Sequence, residues 1–587
     1  MSTIGDIALK FDFKSQDGSL DRLYFSEPIK VFSTYHIDQV KPLLREIETE
    51  RKKGRYIAGY LSYEAAPAFE KRYRTKVQTT MPLLWFASFT QPDQVENDKQ
   101  ATSIDQSLTW KQTTSYSDYQ TSIEAIKDAI RIGDTYQVNY TTRLTTAFHQ
   151  DPEAFYYMLK NNQQASYSAY LDIGRFQILS ASPELFFAVE QDEITTKPMK
   201  GTSKRGLTYA DDQVNKHYLT QSEKERAENL MIVDLLRNDL GKIAKPGTVH
   251  VPELLTVETY PTVHQMTSTV KATLKEESQL VDWFSALFPC GSITGAPKIN
   301  TMSYIEQLET TARGVYCGTI GYLTPDNKAI FNVPIRTVVV DQDQEQASYG
   351  VGGGITWDSV TASEYQEMEA KASLLTTGYP TFDLLESMLL SNGDLPLLSY
   401  HIDRLEQSAT YFNFVFDRAV CTEQLIALKN QYPKGVYKVR LRLTQPGNIK
   451  LESIPVKQID QPVNSYLAKQ PIDVENRFYY HKTTYRDLYD RLKIDASDNF
   501  STLLWNEREE LTEFTIGNLV LQFDQQFVTP PTKSGLLPGV FRGHLLEKGT
   551  ITEKVLYKND LHRADCIWLI NAVRGWVKVD NVIDLPE

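Results

Sequence analysis

Cysteine is scarce: Cys290, Cys317, Cys421 and Cys566 are the only four in 587 residues. They stand far apart, with no CxxC pair and no Cys/His cluster, so neither a disulfide framework nor a zinc site is indicated and reduced thiols are expected. Long hydrophobic runs are missing as well. No stretch of about 18 uninterrupted apolar residues occurs, and Met1–Lys14 lacks the basic flank and apolar run of an export signal, so a cytoplasmic protein outside the membrane is expected. Positive charge is in deficit, with 62 Lys and Arg against 75 Asp and Glu, a net charge of −13. That balance argues against nonspecific binding to nucleic acid or to an anionic membrane, and an anionic substrate needs a locally basic pocket.

What is present is ordinary globular composition, 41% hydrophobic and 23% charged. The length exceeds what one core organises, so two or more domains are expected. The polar stretch Gln91–Gln106 reads as a surface excursion. A helical pattern from Glu364 to Leu375 meets Thr376-Thr377-Gly378-Tyr379-Pro380, where glycine can close a helix and proline cannot continue one. The domain division is therefore placed at 1–378 and 379–587.

Within the first part, Ser117 is expected to cap a helix through Tyr119, Ile123, Ile126 and Ile130 that ends at Gly133, followed by a strand over Asp134–Thr142. Ser222-Glu-Lys-Glu225 opens a second helix as a capping box and runs toward Gly241. Clustered β-branched residues, as in Ala329–Val340, predict helices packed on extensive, mainly antiparallel sheet, an α+β fold.

Two of these helices each carry carboxylates three residues apart, Glu225 with Glu228 and Glu364 with Glu367, a spacing that puts each pair on one face. Four convergent carboxylates need a cation, and oxygen-only ligands favour Mg²⁺. Capping by Glu225 and a favourable helix-start position for Glu364 already account for two of them without a metal, and spacing alone favours that plainer reading. Lys371, four residues after Glu367, is either a surface ion pair or a ligand for a substrate carboxylate. Gly352-Gly353-Gly354 lets backbone approach a ligand closely, as an anion cradle or a plain turn.

Read in order, Gly133–Asn139, Ser180–Phe186, Pro198–Thr202, Glu228–Gly241, Gly291–Lys298 and Tyr349–Gly354 resemble the chorismate-utilising family over nearly all of residues 50–375. The resemblance implies a chorismate-binding sheet and helix sandwich. It implies Glu228 and Glu367 as principal Mg²⁺ ligands, with Glu225 and Glu364 completing the site. Arg336 and Tyr316 would bind the enolpyruvyl carboxylate, while Lys371, Thr294 and glycines 352–354 complete the pocket. His264 matches a family histidine near the ring, where a proton could be exchanged. Lys200, just before Gly201-Thr202, is typical of family members that form aminodeoxychorismate; anthranilate-forming members carry alanine there. A desolvated amine can attack the ring, displace the 4-hydroxyl and later be expelled by ammonia at C4. Gln137 stands where water-adding members resemble one another in having a lysine base, which disfavours those activities. None of the four cysteines sits in a glycine-flanked elbow, so a separate glutamine amidotransferase subunit is the implied ammonia source.

From Phe382 onward, Tyr400–Leu405, His481–Arg486, Leu511–Asn518, Gly535–Arg542 and Ile570–Gly575 resemble the fold-type IV pyridoxal-phosphate family. The resemblance implies Lys482 as the Schiff-base lysine, Glu513 at the pyridine nitrogen and Arg404 at the phosphate. Amides near Ile516-Gly517 and at the helix start Gly539-Val540 would help, because unpaired N–H groups there favour an anion. A homodimer through this domain is compatible with it. At about 207 residues from Thr381 to Glu587, the domain is shorter than the family norm. The combined expectation is p-aminobenzoate synthesis from chorismate: amination, then elimination of pyruvate. Two other readings stay open. One is anthranilate synthase fused to an aminotransferase, against which Lys200 speaks. The other makes the second domain a non-catalytic cofactor-binding or docking module, against which Lys482, Glu513 and Arg404 speak.

Overall fold

Along Ala8–Lys14, Leu9, Phe11 and Phe13 are fully buried, the period-two signature of a strand with one face in a core. In this computed structural model, which describes residues 7–77, 80–94, 108–376 and 378–584, that strand joins a nine-stranded sheet whose longest pairing is Gln137–Ala147 with Gln346–Ile355. A ten-stranded sheet includes Met199–Lys204 against Val263–Thr273. The two sheets share one apolar core, where the ring of Phe11 from the first meets Tyr322 of the second edge-on at 5.6 Å. Helices Tyr116–Arg131, Glu223–Gly241 and Thr361–Ala372 bury side chains in the larger core beside the sheets. The expected α+β sandwich is present. No helix among the described residues is long and apolar enough to cross a membrane.

Local details differ from the sequence reading. The first helix is capped by Ser115, whose hydroxyl accepts from Asp118 N–H and donates to the Asp118 carboxylate at 2.7 Å, so the helix begins before Ser117. The following strand starts at Gln137 and runs to Ala147. Ser222 caps its helix by accepting from Glu225 N–H, but the Glu225 side chain turns away to accept from Thr202 N–H at 3.2 Å, so the reciprocal half of the capping box is replaced by a tertiary contact. Ala329–Val340 is two strands, Ala329–Asn332 and Thr337–Asp341, separated by a bend in which Arg336 takes φ 54°. Residues 95–106 of the polar stretch lie outside the described residues.

Contacts divide the chain into two compact units, Met1–Lys204 with Lys216–Tyr379, and Arg205–Asn215 with Pro380–Glu587. The second unit thus takes in eleven residues that a linear division assigns to the first. The chemistry holding them is specific. Arg205 and Asp212 form a buried bidentate pair at 2.7 and 2.9 Å, Arg205 also donates to Tyr411 O, and Tyr411 O–H donates to Gly206 O. Both charged side chains are only 3% exposed. Asp212→Ala leaves the guanidinium buried without its counter-charge and is expected to destabilise this unit by about 3–5 kcal/mol. A denaturant midpoint within error of the native chain would show that the pair carries no such weight.

The rest of the second unit comprises a three-stranded antiparallel sheet, Leu384–Ser391, Val436–Leu443 and Ile449–Pro455, and an eight-stranded mixed sheet. In the latter, Val463–Leu467 runs parallel to both Asn499–Trp505 and Gly575–Ile583. The described cysteines are all free thiols, and burial raises Cys290 to about 12 and Cys317 to about 11, which leaves them unreactive.

Candidate functional sites

The first unit holds a cavity of about 210 Å³ lined by Glu225, Glu228, Glu364 and Glu367, by Lys200, Tyr316, Arg336 and Lys371, and by Gly352, Gly353 and Gly354. Side chains 171 residues apart in sequence, Lys200 and Lys371, are brought together because Glu223–Gly241 lies against the strand Met199–Lys204, while Thr361–Ala372 lies against Gln346–Ile355. Burial, reinforced by neighbouring carboxylates, pushes Glu225, Glu228 and Glu364 above the usual carboxyl range. Glu367 is held low instead by Lys371, 2.7 Å away, and Lys371 also donates to Gly352 O. Among the described residues no three metal-ligand side chains are already gathered around an ion-sized space. The donor set, oxygens alone and mutually repelling, suits a hard divalent cation.

Lys200 lines the same cavity as these carboxylates. Burial pulls its amine below the ordinary lysine range, although Glu228 and Glu184 pull the other way. Gly354 makes room for it: a Cβ there would lie 2.2 Å from Gln137 Nε2 and 2.9 Å from Lys200 Nζ. The glycine triplet is therefore part of a strand, paired with Asn139–Thr141, and its lack of side chains supplies clearance as well as backbone contacts. Gln137 is 1% exposed, and both polar atoms of its amide are buried without a partner. Unsatisfied amide atoms at a cavity wall are costly unless a ligand completes them.

Two expected pocket residues are not among those lining the cavity. His264 is fully buried; strand alternation turns Val263 and Gln265 toward the cavity and His264 to the other face, beside Thr259. Thr294 is fully buried too, with its hydroxyl spent on Cys290 O and Gly291 O. One residue to which the sequence reading gives no role does line it. Glu184, 3% exposed, is pushed up to about 7 by burial, with Ser292 and Lys200 opposing. The available signal was a carboxylate immediately before the apolar run Leu185-Phe186-Phe187, a place where a charge is rarely kept without a task.

The second unit holds a larger cavity, about 660 Å³, lined by Arg404, Lys482, Glu513, Ile516, Gly517, Gly539 and Val540. Burial, with Arg404 nearby, lowers Lys482 to about 8. Burial raises Glu513 to about 7 against the bonds from Leu537 N–H, Tyr489 O–H and Asn518, which fix its orientation. The helix Val540–Glu547 begins at Gly539 with no side-chain cap, so its first amides are available to an anion. Arg404 is more committed than expected. Its Nε and Nη2 donate to the buried Glu386 and its Nη1 to Pro538 O, using three of its five N–H donors. Burial pushes Glu386 up, but Arg404 and His401 together outweigh it and hold the carboxyl at about 2. A lowered amine, a buried carboxyl and an uncapped helix start on one cavity fit pyridoxal phosphate.

A family model described as chorismate binding enzyme matches residues 10–377. A second, described as amino-transferase class IV, matches residues 383–582. The chain is 41% identical over 258 residues to aminodeoxychorismate synthase component 1 of Klebsiella aerogenes, covering 44% of this chain and 57% of that relative. It is 42% identical over 267 residues to aminodeoxychorismate synthase of Streptomyces griseus, covering 45% and 37%. The matched stretch thus spans about a third to a little over half of these relatives' length. Anthranilate synthase component I from Streptococcus pneumoniae superposes over 64% of this chain and 93% of its own, with 25% identity and a TM-score of 0.52.

Proposed function

Because this chain belongs to the chorismate binding enzyme family, we propose that its first unit aminates chorismate to 4-amino-4-deoxychorismate and its second unit eliminates pyruvate to give p-aminobenzoate, a folate precursor. The observation that carries the first half is the Lys200 amine, which with Gln137 and Glu184 lines the cavity that also holds the four glutamates. A neutral amine is a nucleophile, and burial favours the neutral form. Lys200 attacks the ring as the 4-hydroxyl departs as water, the proton coming from Glu184. Ammonia then bonds to C4 and the lysine leaves. Gln137 cannot deprotonate water, which keeps water from competing as the nucleophile. Arg336, whose fork suits a carboxylate, and Tyr316 hold the enolpyruvyl carboxylate. Glu228 and Glu367, with Glu225 and Glu364, would hold Mg²⁺, which supplies positive charge for the ring carboxylate. Ammonia comes from a separate glutamine amidotransferase.

In the second unit, pyridoxal phosphate when bound supplies an electron sink for the substrate carbon that loses its proton. Lys482 would anchor the cofactor and take the proton from the ring carbon bearing the amine, and Glu513 would keep the pyridine nitrogen protonated. The enolpyruvyl group leaves, gains a proton to become pyruvate, and the ring aromatises.

Full-length protein given chorismate, Mg²⁺, ammonia and pyridoxal phosphate is expected to yield p-aminobenzoate. Anthranilate as product would overturn the first half, and accumulation of 4-amino-4-deoxychorismate the second. Glu184 adds a pH signature. As a proton donor it must be protonated, so amination is expected to fall as pH rises through about 7. Glu184→Gln should lower the rate about 100-fold and abolish that limb. An unaltered pH profile would remove Glu184 from the reaction.

A further inference from the structure

The cavity of the second unit carries more positive charge than its cofactor accounts for. Lys438, Arg440 and Arg442 alternate along the strand Val436–Leu443 and so share one face. Arg442 has a carboxylate partner, Asp383. Lys438 and Arg440 line the cavity instead, and among the described residues neither has an acidic group within ion-pair distance. Glu452 stands opposite Arg440 in register, yet it is exposed, lies outside the cavity and makes no ion pair with it. Arg574 lines the same cavity from the turn Asn571–Gly575, pinned by its backbone N–H to Asn571 Oδ1 at 2.9 Å and by Nη1 to Lys457 O at 3.0 Å. The three cations feel one another: burial, then Arg440 and Arg574, hold the Lys438 amine below its ordinary range. Glu513, the one carboxylate among the lining residues, is engaged by Tyr489, Asn518 and Leu537 N–H.

Unpaired cations crowded at the wall of a concave, largely apolar site are destabilising until an anion joins them. We propose that Lys438, Arg440 and Arg574 form a carboxylate-binding site that seats a dicarboxylic amine beside Lys482 and selects it over amines with one carboxylate. The proposal rests on the lyase reading, whose substrate carries a ring carboxylate and an enolpyruvyl carboxylate; it goes beyond that reading by assigning the groups that recognise them. It also gives the second cavity the locally basic lining that an anionic substrate needs in a protein of net charge −13.

The test uses the full chain loaded with pyridoxal phosphate and an unreactive probe, isophthalate, followed through the cofactor's visible absorption band. A saturable shift of the band is expected, with benzoate far weaker. In Lys438→Met and Arg440→Met the half-saturating isophthalate concentration should rise tenfold or more while the band without probe is unchanged, and Lys438→Arg should largely restore binding. For p-aminobenzoate formation from supplied 4-amino-4-deoxychorismate, KM should rise by a similar factor with kcat nearly kept. Equal half-saturation in native and variant chains, or no response from the native chain, would overturn the site. So would loss of cofactor from folded variants, which would assign these cations to the cofactor's phosphate. If isophthalate binding depends on Lys438 but the native chain makes no p-aminobenzoate, the site stands and the lyase reading falls.

Discussion

Replacing Lys482 with alanine is expected to stop p-aminobenzoate formation and to leave 4-amino-4-deoxychorismate accumulating from chorismate. The loss should be about 100- to 10,000-fold, the range a positioned proton-transfer group contributes. The physical ground is that Lys482 is lowered to about 8 by burial, so near neutral pH the neutral form that can accept a proton is far more populated than for an ordinary lysine. The same shift fixes the sign of a stability control. The folded chain disfavours the charged amine, so stability attributable to this group rises as pH climbs from about 8 toward the ordinary lysine value, where the unfolded chain also loses its proton. Lys482→Ala should therefore be at least as stable as the native chain at pH 7, and its relative advantage should shrink toward pH 10. Undiminished p-aminobenzoate production by this variant would show that the second unit is not the lyase.

Lys200→Ala is expected to lose amination of chorismate by a similar factor while the variant still converts supplied 4-amino-4-deoxychorismate to p-aminobenzoate. Lys200→Arg should not rescue it, because a guanidinium stays charged and cannot act as the nucleophile. That pair of variants separates a chemical role from a purely electrostatic one. If Lys200→Arg retained near-native amination, Lys200 would be serving as a fixed positive charge beside Glu228 and Glu184, and covalent attack would be excluded.

Much of the site was legible in local spacing. Glu225 with Glu228 and Glu364 with Glu367 sit three apart on helices that begin where caps and turns place them, and all four reach one cavity. Lys482 and Glu513 likewise meet at the second cavity, as motif order suggested. Failures came where a residue's direction depends on its partners across space. His264 is one residue out of phase with the cavity face of its strand, and Thr294 spends its hydroxyl on the carbonyls of Cys290 and Gly291, four and three residues earlier. Arg404 is largely consumed by Glu386, eighteen residues earlier and on another element.

The sequence by itself determined the two-part organisation, the α+β character and the set of chemical groups, because these follow from periodicity, from helix caps and stops, and from residue types in fixed order. Only the tertiary structure decided which groups are charged, which are free and which unit owns Arg205–Asn215. Burial shifts the proton affinity of Lys200, Glu184, Lys482 and Glu513, and burial is a property of what packs around a side chain. For the same reason Arg442 finds Asp383 while Lys438 and Arg440, four and two residues earlier on the same strand face, are left facing a cavity.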